Sequence, residues 1–277
     1  MKKHVFNMAN LICFIFRQLL NGNKPVVYYN ERPNVGDALN EDIIYFYSGK
    51  KIENPPGIRF IRHFLCVGSV ASAMTHKSII WGSGLISKEA INNIQALGDI
   101  RALRGKLSKY EIEKKFHIEL NVPLGDPALL MPRIYPGHTR KSYKFGVVLH
   151  YVDESDNINA LVESMGGLVI KVSLPVKEFI EEICKCEKII SSSMHGLILA
   201  DAYNIPNIRF VLSDKIVGGD FKFDDYYSTT DSPNESNNKH VISGFVSNND
   251  IIAALDSAKI NRYLYDLNLL ENSFPLR

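Results

Sequence analysis

The stretch at residues 188–208 sets a histidine where a strand gives way to a helix. Lys188-Ile189-Ile190 is a short apolar run of the kind that forms a buried strand, and Ser191-Ser192-Ser193 leave it. From Met194 the apolar spacing is helical, and Asn204 and Pro206 end it. An apolar run at 207–212 supplies the next strand. His195 therefore sits at a helix start, beside backbone N–H groups with no intrahelical partner and the positive end of the dipole. Such a junction binds anions, and an imidazole there adds a group that titrates near neutrality. Ser192 and Ser193 would help the helix N–H groups hold the anion. The competing structural reading makes His195 a helix-start residue bonded to a loop carbonyl.

Other residues suit the same chemistry. His150 closes an apolar strand at 144–151, at the edge where open α/β sheets meet ligands, though histidines at strand ends are also commonly structural. Gly36 allows close backbone approach in the loop expected at 30–40, and Asp37 is either a helix cap or a ligand contact. Arg101 and Arg104 fall in the stretch 100–105. An arginine at a turn such as Arg104-Gly105 can grip a carboxylate or phosphate with its planar fork, or can be an ion-paired side chain. Asp126 before Pro127 reads as a turn residue with a structural role. Lys222 opens a segment, 222–228, dense in charge and aromatic rings.

These residues need a scaffold that gathers them. Strands are expected at 25–29, 62–67, 78–81, 144–151, 168–172, 188–190 and 207–212, and around Arg101 and Leu103. Helices are expected at 41–47, 108–116, 157–165, 175–186, from Met194, and from Asn248 to about Leu270. Glycines follow the strands at 68 and 82–84, as at the carboxyl ends of parallel strands. The alternation of strand and helix gives an α/β class with a βαβ sheet in each half. A Pro-, Gly- and basic-rich stretch at 133–143 is the expected linker, dividing the chain into 1–138 and 139–277. The last helix is long enough to return to the first domain.

The 277 residues are 45% hydrophobic with a net charge of +2, which supports a sizeable core and argues against nucleic acid as the main partner. The four cysteines show no zinc spacing, so no metal is expected, and a reduced, cytoplasmic compartment is the default. Residues 5–20 are too interrupted by Asn7, Asn10, Arg17 and Gln18 to cross a membrane or serve as a leader. Leu11, Phe14, Ile15 and Leu19 fall near one helical face. That face is either a core contact or, given the basic start, a peripheral contact with a membrane surface. The polar run at 232–239 reads as a mobile loop.

Asn34-Val35-Gly36-Asp37, Arg101-Ala102-Leu103-Arg104-Gly105, residues 125–130 (Gly-Asp-Pro-Ala-Leu-Leu) and Ser192-Ser193-Met194-His195-Gly196, joined by 222–228, resemble the polysaccharide pyruvyl transferase family in order and spacing. The resemblance covers roughly residues 25–230. It implies two Rossmann-like domains facing across a cleft, as in GT-B glycosyltransferases. It also implies pyruvyl transfer from phosphoenolpyruvate, as donor substrate and with no further cofactor, to two hydroxyls of a sugar, giving a cyclic ketal. The acceptor would belong to a surface polysaccharide or its lipid-linked precursor. His195 and Arg104 match the family's histidine and its arginine before glycine, the catalytic pair. Gly36, Asp37, Arg101, His150, Ser192, Ser193 and Lys222 are the expected substrate contacts. Many members carry an arginine where this chain has Ser193; Arg104, Arg209 or Lys222 could supply that charge.

Protonating the methylene carbon of phosphoenolpyruvate makes an oxocarbenium-like centre that a sugar hydroxyl attacks. This needs a general acid working near neutral pH, which histidine fits. Two other readings remain: a GT-B glycosyltransferase using a nucleotide sugar, and a non-catalytic binder of glycans or anions.

Overall fold

The structure, a computed structural model, describes residues 8–29, 31–137, 140–233, 239–242 and 244–275. The basic start at Met1-Lys2-Lys3, the expected domain boundary at 138 and 139, and much of the 232–239 loop lie outside the described residues.

The first half begins with helix α1 (Met8–Asn21) and the short strand β1 (Lys24–Pro25). α1 docks through Leu11 and Phe14, while Arg17 and Gln18 bond Glu53. Ile15 and Leu19, expected on the docked face, are 46% and 80% exposed, because the buried side is rotated toward Phe14 and Gln18. Helix α2 (Val35–Ser48) starts earlier than the expected 41–47. The reason is local: Asn34 caps it, its side chain accepting from Gly36 N at 3.1 Å. Gly36 and Asp37 thus belong to a helical first turn rather than to a loop. Strands β2 (Ile52–Glu53), β3 (His63–Leu65), β4 (Ser78–Trp81) and β5 (Asp99–Ala102) follow, all paired parallel. A bridge from Val26 to Phe64 joins the β1–β2 pair to β3. Helices α3 (Lys106–Phe116) and α4 (Met131–Ile134) complete this half.

The second half runs β6 (Gly146–Val148), α5 (Asp156–Ser164), β7 (Leu168–Val169), α6 (Val176–Cys184), β8 (Ile189–Ser191), α7 (Met194–Ala202) and β9 (Asn207–Val211). It continues with α8 (Phe221–Tyr227), β10 (His240–Val241), α9 (Asn248–Ser257) and α10 (Leu267–Asn272). Its parallel sheet has the order β10-β9-β8-β6-β7. In both halves the first strand lies between the second and the third. This is a doubly wound order whose ligands bind outside the carboxyl ends, where the order reverses. In the second half that point lies between β6 and β8, which lead to His150 and to Ser192-Ser193.

The single helix expected from Asn248 to Leu270 is broken in two. Between α9 and α10, Lys259 bridges Asn207 and Tyr263 bridges Thr230. Asn261 donates to the buried Asp201 through both its backbone and side-chain nitrogens. These tertiary bonds outweigh helix propensity. α10 lies against the first half: Trp81 Nε1 donates to Leu270 O at 2.9 Å, and Phe274 packs edge-on to Trp81. The largest apolar cluster draws on both halves, from Val26 and Leu39 to Leu197 and Phe274.

A polar clasp joins the halves as well. Arg104 is fully buried and its guanidinium is closed by protein groups: Nε donates to Asp225 Oδ2 at 2.9 Å, Nη1 to Ser69 Oγ at 2.6 Å and Nη2 to Leu85 O at 2.7 Å. Asp225, on α8, also accepts from Ser108 N at 2.8 Å and Ser108 Oγ at 2.7 Å. Ser228 Oγ accepts from Lys106 N at 2.8 Å. α3 has no side-chain cap of its own at Gly105; α8 supplies it. Gly105 is required here because a Cβ would fall 1.8 Å from Asp225 O. Asp225→Ala would strand a buried guanidinium and uncap α3, so a loss of about 3–5 kcal/mol is expected in urea unfolding. An unchanged midpoint would show that the clasp contributes nothing.

Candidate active site

His195 occupies the first turn of α7, whose N-cap is Ser193. The ring is enclosed from the first half. On one side stands Gly36 of α2: a Cβ there would lie 2.1 Å from His195 Nδ1, so only glycine leaves room for the ring. On the other, Asp126 Oδ2 lies 3.8 Å from Nε2. Asp126 Oδ1 caps the 3-10 turn Pro127–Leu130 by accepting from Ala128 N at 3.0 Å. α2 is held against the second half by Val35 N donating to Val172 O at 2.7 Å. Residues from 34–37, 125–130 and 192–196 therefore converge on one imidazole.

Asp37 completes this group. Its Oδ1 accepts from Tyr29 N at 3.0 Å. Burial pushes its carboxyl up to about 6, against the opposing pull of the Tyr29 hydrogen bond and of His195. A carboxyl that exchanges its proton near neutrality can share acid and base roles with an imidazole beside it.

The serines are not free. Ser191 Oγ donates to Val148 O and Ser193 O, and accepts from Ser193 N. Ser192 Oγ accepts from His150 N at 2.9 Å. All three residues are buried. Ser191 and Ser192 shape the turn into α7 through these bonds, and Ser193 makes no side-chain cap bond.

Of the three cations expected as sources of the charge, Arg104 is engaged within the fold, and Lys222 and Arg209 lie within each other's field. Arg104 is spent in the clasp: all three of its nitrogens bond protein groups and the side chain is fully buried, so the grip on a donor's carboxylate or phosphate expected of it has no exposed guanidinium to use. Arg101 is exposed on β5 and paired with Asp99 at 2.8 Å, apart from the converging motifs. Lys222 is 8% exposed and makes no hydrogen bond or ion pair among the described residues. Burial, then Arg104 and Arg209, push its ammonium down to about 8. Arg209 gives Nη2 to Asp220 at 2.7 Å and lays its guanidinium on the Phe223 ring, while its buried Nη1 has no partner. His150, half-buried beside this pair, is pushed down to about 4 by burial and by Lys222. It is neutral at physiological pH and can hydrogen-bond but not carry charge. Its backbone bond to Ser192 ties this cationic group to the start of α7.

In the sequence Asp126 reads as a turn former, and Arg209 reads as one of three cations that could replace the arginine absent at Ser193. A cavity of about 430 Å³ opens beside Arg209, Ser213 and Asp220, and another of about 310 Å³ beside Ser155 and Lys171. His195 lines neither. Among the described residues no group of three or more His, Cys, Asp or Glu side chains is placed to hold a metal ion. The four cysteines are free.

A profile of the polysaccharide pyruvyl transferase family matches residues 9–214, which contain all the converging motifs. The chain belongs to that family. Two relatives accompany the match. The uncharacterized protein L143 of Acanthamoeba polyphaga mimivirus is 27% identical over 214 residues, 73% of this chain and 72% of that protein. The succinoglycan biosynthesis protein ExoV of Rhizobium meliloti is 28% identical over 222 residues, 74% of this chain and 64% of ExoV. A crystal structure of an uncharacterized protein from Klebsiella pneumoniae superposes with a TM-score of 0.45 at 13% identity, covering 86% of this chain and all of that one (100%). Membership gives the general activity, transfer of pyruvyl groups in polysaccharide synthesis.

Asp37 carries a pH signature that needs no substrate. Its carboxyl is raised from 3.8 to about 6 in the folded chain, so the folded state holds the proton more tightly than the unfolded one. Stability from this group is complete below about pH 4 and is lost as pH rises through 6. Asp37→Asn removes the burden of the buried anion. It should be more stable than the parent at pH 8, by on the order of 1 kcal/mol after allowance for partial exposure, with the gap closing toward pH 4. Thermal unfolding at the two pH values checks this; equal gaps at both would refute it.

Proposed function

We propose that this chain moves the pyruvyl group of phosphoenolpyruvate to two hydroxyls of one sugar, closing a cyclic ketal and releasing phosphate. The observation that supports this most is the convergence of residues 34–37, 125–130 and 192–196 on the His195 ring. His195 gives a proton to the donor's methylene carbon. The neighbouring carbon becomes oxocarbenium-like, a first hydroxyl adds with loss of its proton, phosphate leaves, and the second hydroxyl closes the ring with loss of its own. Asp37, protonatable near neutrality and facing His195, is suited to take a hydroxyl proton. Lys222 and the free Nη1 of Arg209 are the charges that would hold the donor's carboxylate or phosphate in place of the arginine absent at Ser193. Arg104 keeps α3 and α8 together and acts on the donor only through that scaffold.

In this reading the two doubly wound halves form a GT-B-like pair, with the sugar entering between their carboxyl edges. The ring is only 7% exposed, so donor binding includes a movement that opens the Gly36 side. The test is incubation with phosphoenolpyruvate and a galactose-type acceptor, following phosphate release and the ketal methyl signal by NMR. His195→Ala should lose about 10²–10⁴-fold in turnover. Near-full turnover in that variant would remove the assignment, and sugar transfer from a nucleotide sugar instead would favour glycosyl transfer.

A lipid-linked acceptor would bring the chain to the cytoplasmic face of a membrane. No helix among the described residues is long and apolar enough to cross one. α1 instead turns Ile12, Phe16, Leu19 and Leu20 outward, at 61%, 64%, 80% and 70% exposure. It holds no acidic residue, and the exposed Lys50 and Lys51 lie near its end. Apolar side chains rimmed by cations suit an anionic lipid surface. The chain should sediment with phosphatidylglycerol vesicles and not with phosphatidylcholine ones, and Phe16→Glu with Leu19→Glu should abolish this without moving the Tm. Equal sedimentation of parent and variant would exclude α1 as the contact.

A further inference from the structure

We infer that Asp126 is the positioning residue of His195: it holds the imidazole proton on Nε2, so that Nδ1 is the nitrogen that exchanges a proton with substrate. This rests on the reading of His195 as the proton donor. Asp126 Oδ2 and His195 Nε2 face each other at 3.8 Å, both are buried, and neither has a hydrogen-bond partner elsewhere. With Asp126 as a carboxylate, two such atoms satisfy each other only when the ring carries its proton on Nε2. The gap exceeds a formed hydrogen bond, as such contacts commonly do before substrate tightens them.

Neither partner can turn away. Asp126 Oδ1 is committed to Ala128 N at 3.0 Å, which aims Oδ2 at the ring. The ring is fixed from its other side by Gly36, which packs so close to Nδ1 that a side chain there would collide with it. Asp37 is the other charged group whose field reaches the ring. Cys66, behind Asp126, is neutral, because burial and then the Asp126 charge push its thiol up. When His195 gives up its Nδ1 proton, the ring is left as the Nε2–H tautomer already paired with Asp126. No reorganisation is then needed at the moment of transfer.

The geometry also specifies the decisive variant. In Asp126→Asn the cap at Ala128 still needs an oxygen, so the amide nitrogen takes the place of Oδ2. It donates where the carboxylate accepted, and the neutral ring must then carry its proton on Nδ1. Such an inversion of tautomer costs about 10⁴ in turnover in hydrolytic triads.

Nitrogen-15 NMR of the ligand-free protein reads the tautomer directly. The parent's neutral His195 should be the Nε2–H form and that of Asp126→Asn the Nδ1–H form. With phosphoenolpyruvate and acceptor, kcat of the variant should fall about 10²–10⁴-fold while KM for phosphoenolpyruvate holds. Asp126→Ser, which can keep the cap without reaching the ring, should show a similar fall in kcat and guards against misfolding of the amide variant. An Nδ1–H ring in the parent, or the same tautomer in parent and Asp126→Asn, would overturn the inference. The expected tautomers in a parent that forms no ketal would overturn the reaction and leave the positioning intact.

Discussion

A guanidinium with no exposed surface must be paired, and Arg104 dictates much of how the halves meet. Its plane reaches Ser69 after β3, Leu85 after β4 and Asp225 on α8, so three separate segments are fixed relative to one another. The same carboxylate of Asp225 caps α3. Removing a charge this deep from water is costly, and only full pairing offsets it. The interface therefore has one register: a shift of α8 that broke the Asp225 contacts would leave Arg104 and the first turn of α3 unsatisfied together. Gly105 makes the approach close enough for this, since any side chain there would meet the backbone of Asp225.

Against that saturated clasp, unsatisfied groups gather at the carboxyl edges. His195 Nε2, Asp126 Oδ2, Asp153 Oδ2 and Arg209 Nη1 are all buried without partners, and Lys222 keeps a depressed ammonium beside them. A fold that finds a partner for each nitrogen of Arg104 is not short of ways to satisfy polar groups. Buried polar atoms left open at a sheet's carboxyl edge are what a ligand with its own charges and hydroxyls would complete. The division of labour follows: Arg104 has a protein partner at each of its three nitrogens, while Arg209 leaves Nη1 without one.

The sequence disclosed the parts of the site that depend on local pattern. The strand expected at 188–190, which the structure has one residue later at Ile189–Ser191, and the helix from Met194 followed from an apolar run and its change of period. The start of α2 did not, because glycine is a poor helix former and its place in the first turn is explained only by the ring of a residue 159 positions away in number. Arg104 had two legible fates, ligand grip or ion pair. Its partner Asp225 lies in a segment whose packing no periodicity reveals, so spacing alone could not choose between them. Asp126 was read as a turn former, which it is through Oδ1; its second oxygen matters because of what folds against it. The strands β2 and β10 have two residues each, too short for alternation to register. The break between α9 and α10 comes from bonds to Asp201 and Asn207, again a tertiary cause.

The shared apolar cluster constrains how substrate can reach His195. Val26, Leu39 and Ile43 of the first half pack in one cluster with Leu197, Ile198 and Phe223 of the second, and α10 stitches Trp81 to the far end of the chain. Separating the halves as rigid bodies would expose that surface and break the Arg104 clasp, a cost comparable to the stability of a domain. The segment in front of α2 is different. Residues 31–33 are exposed, and Tyr29 N bonds the partly buried Asp37, whose charge changes near neutral pH. A local opening there would move the start of α2, Gly36 included, off the Nδ1 side of the ring while Asp126 and the clasp stay in place. Under the proposed reaction, access by local opening would keep His195 oriented against Asp126 during binding, which access by domain separation would not.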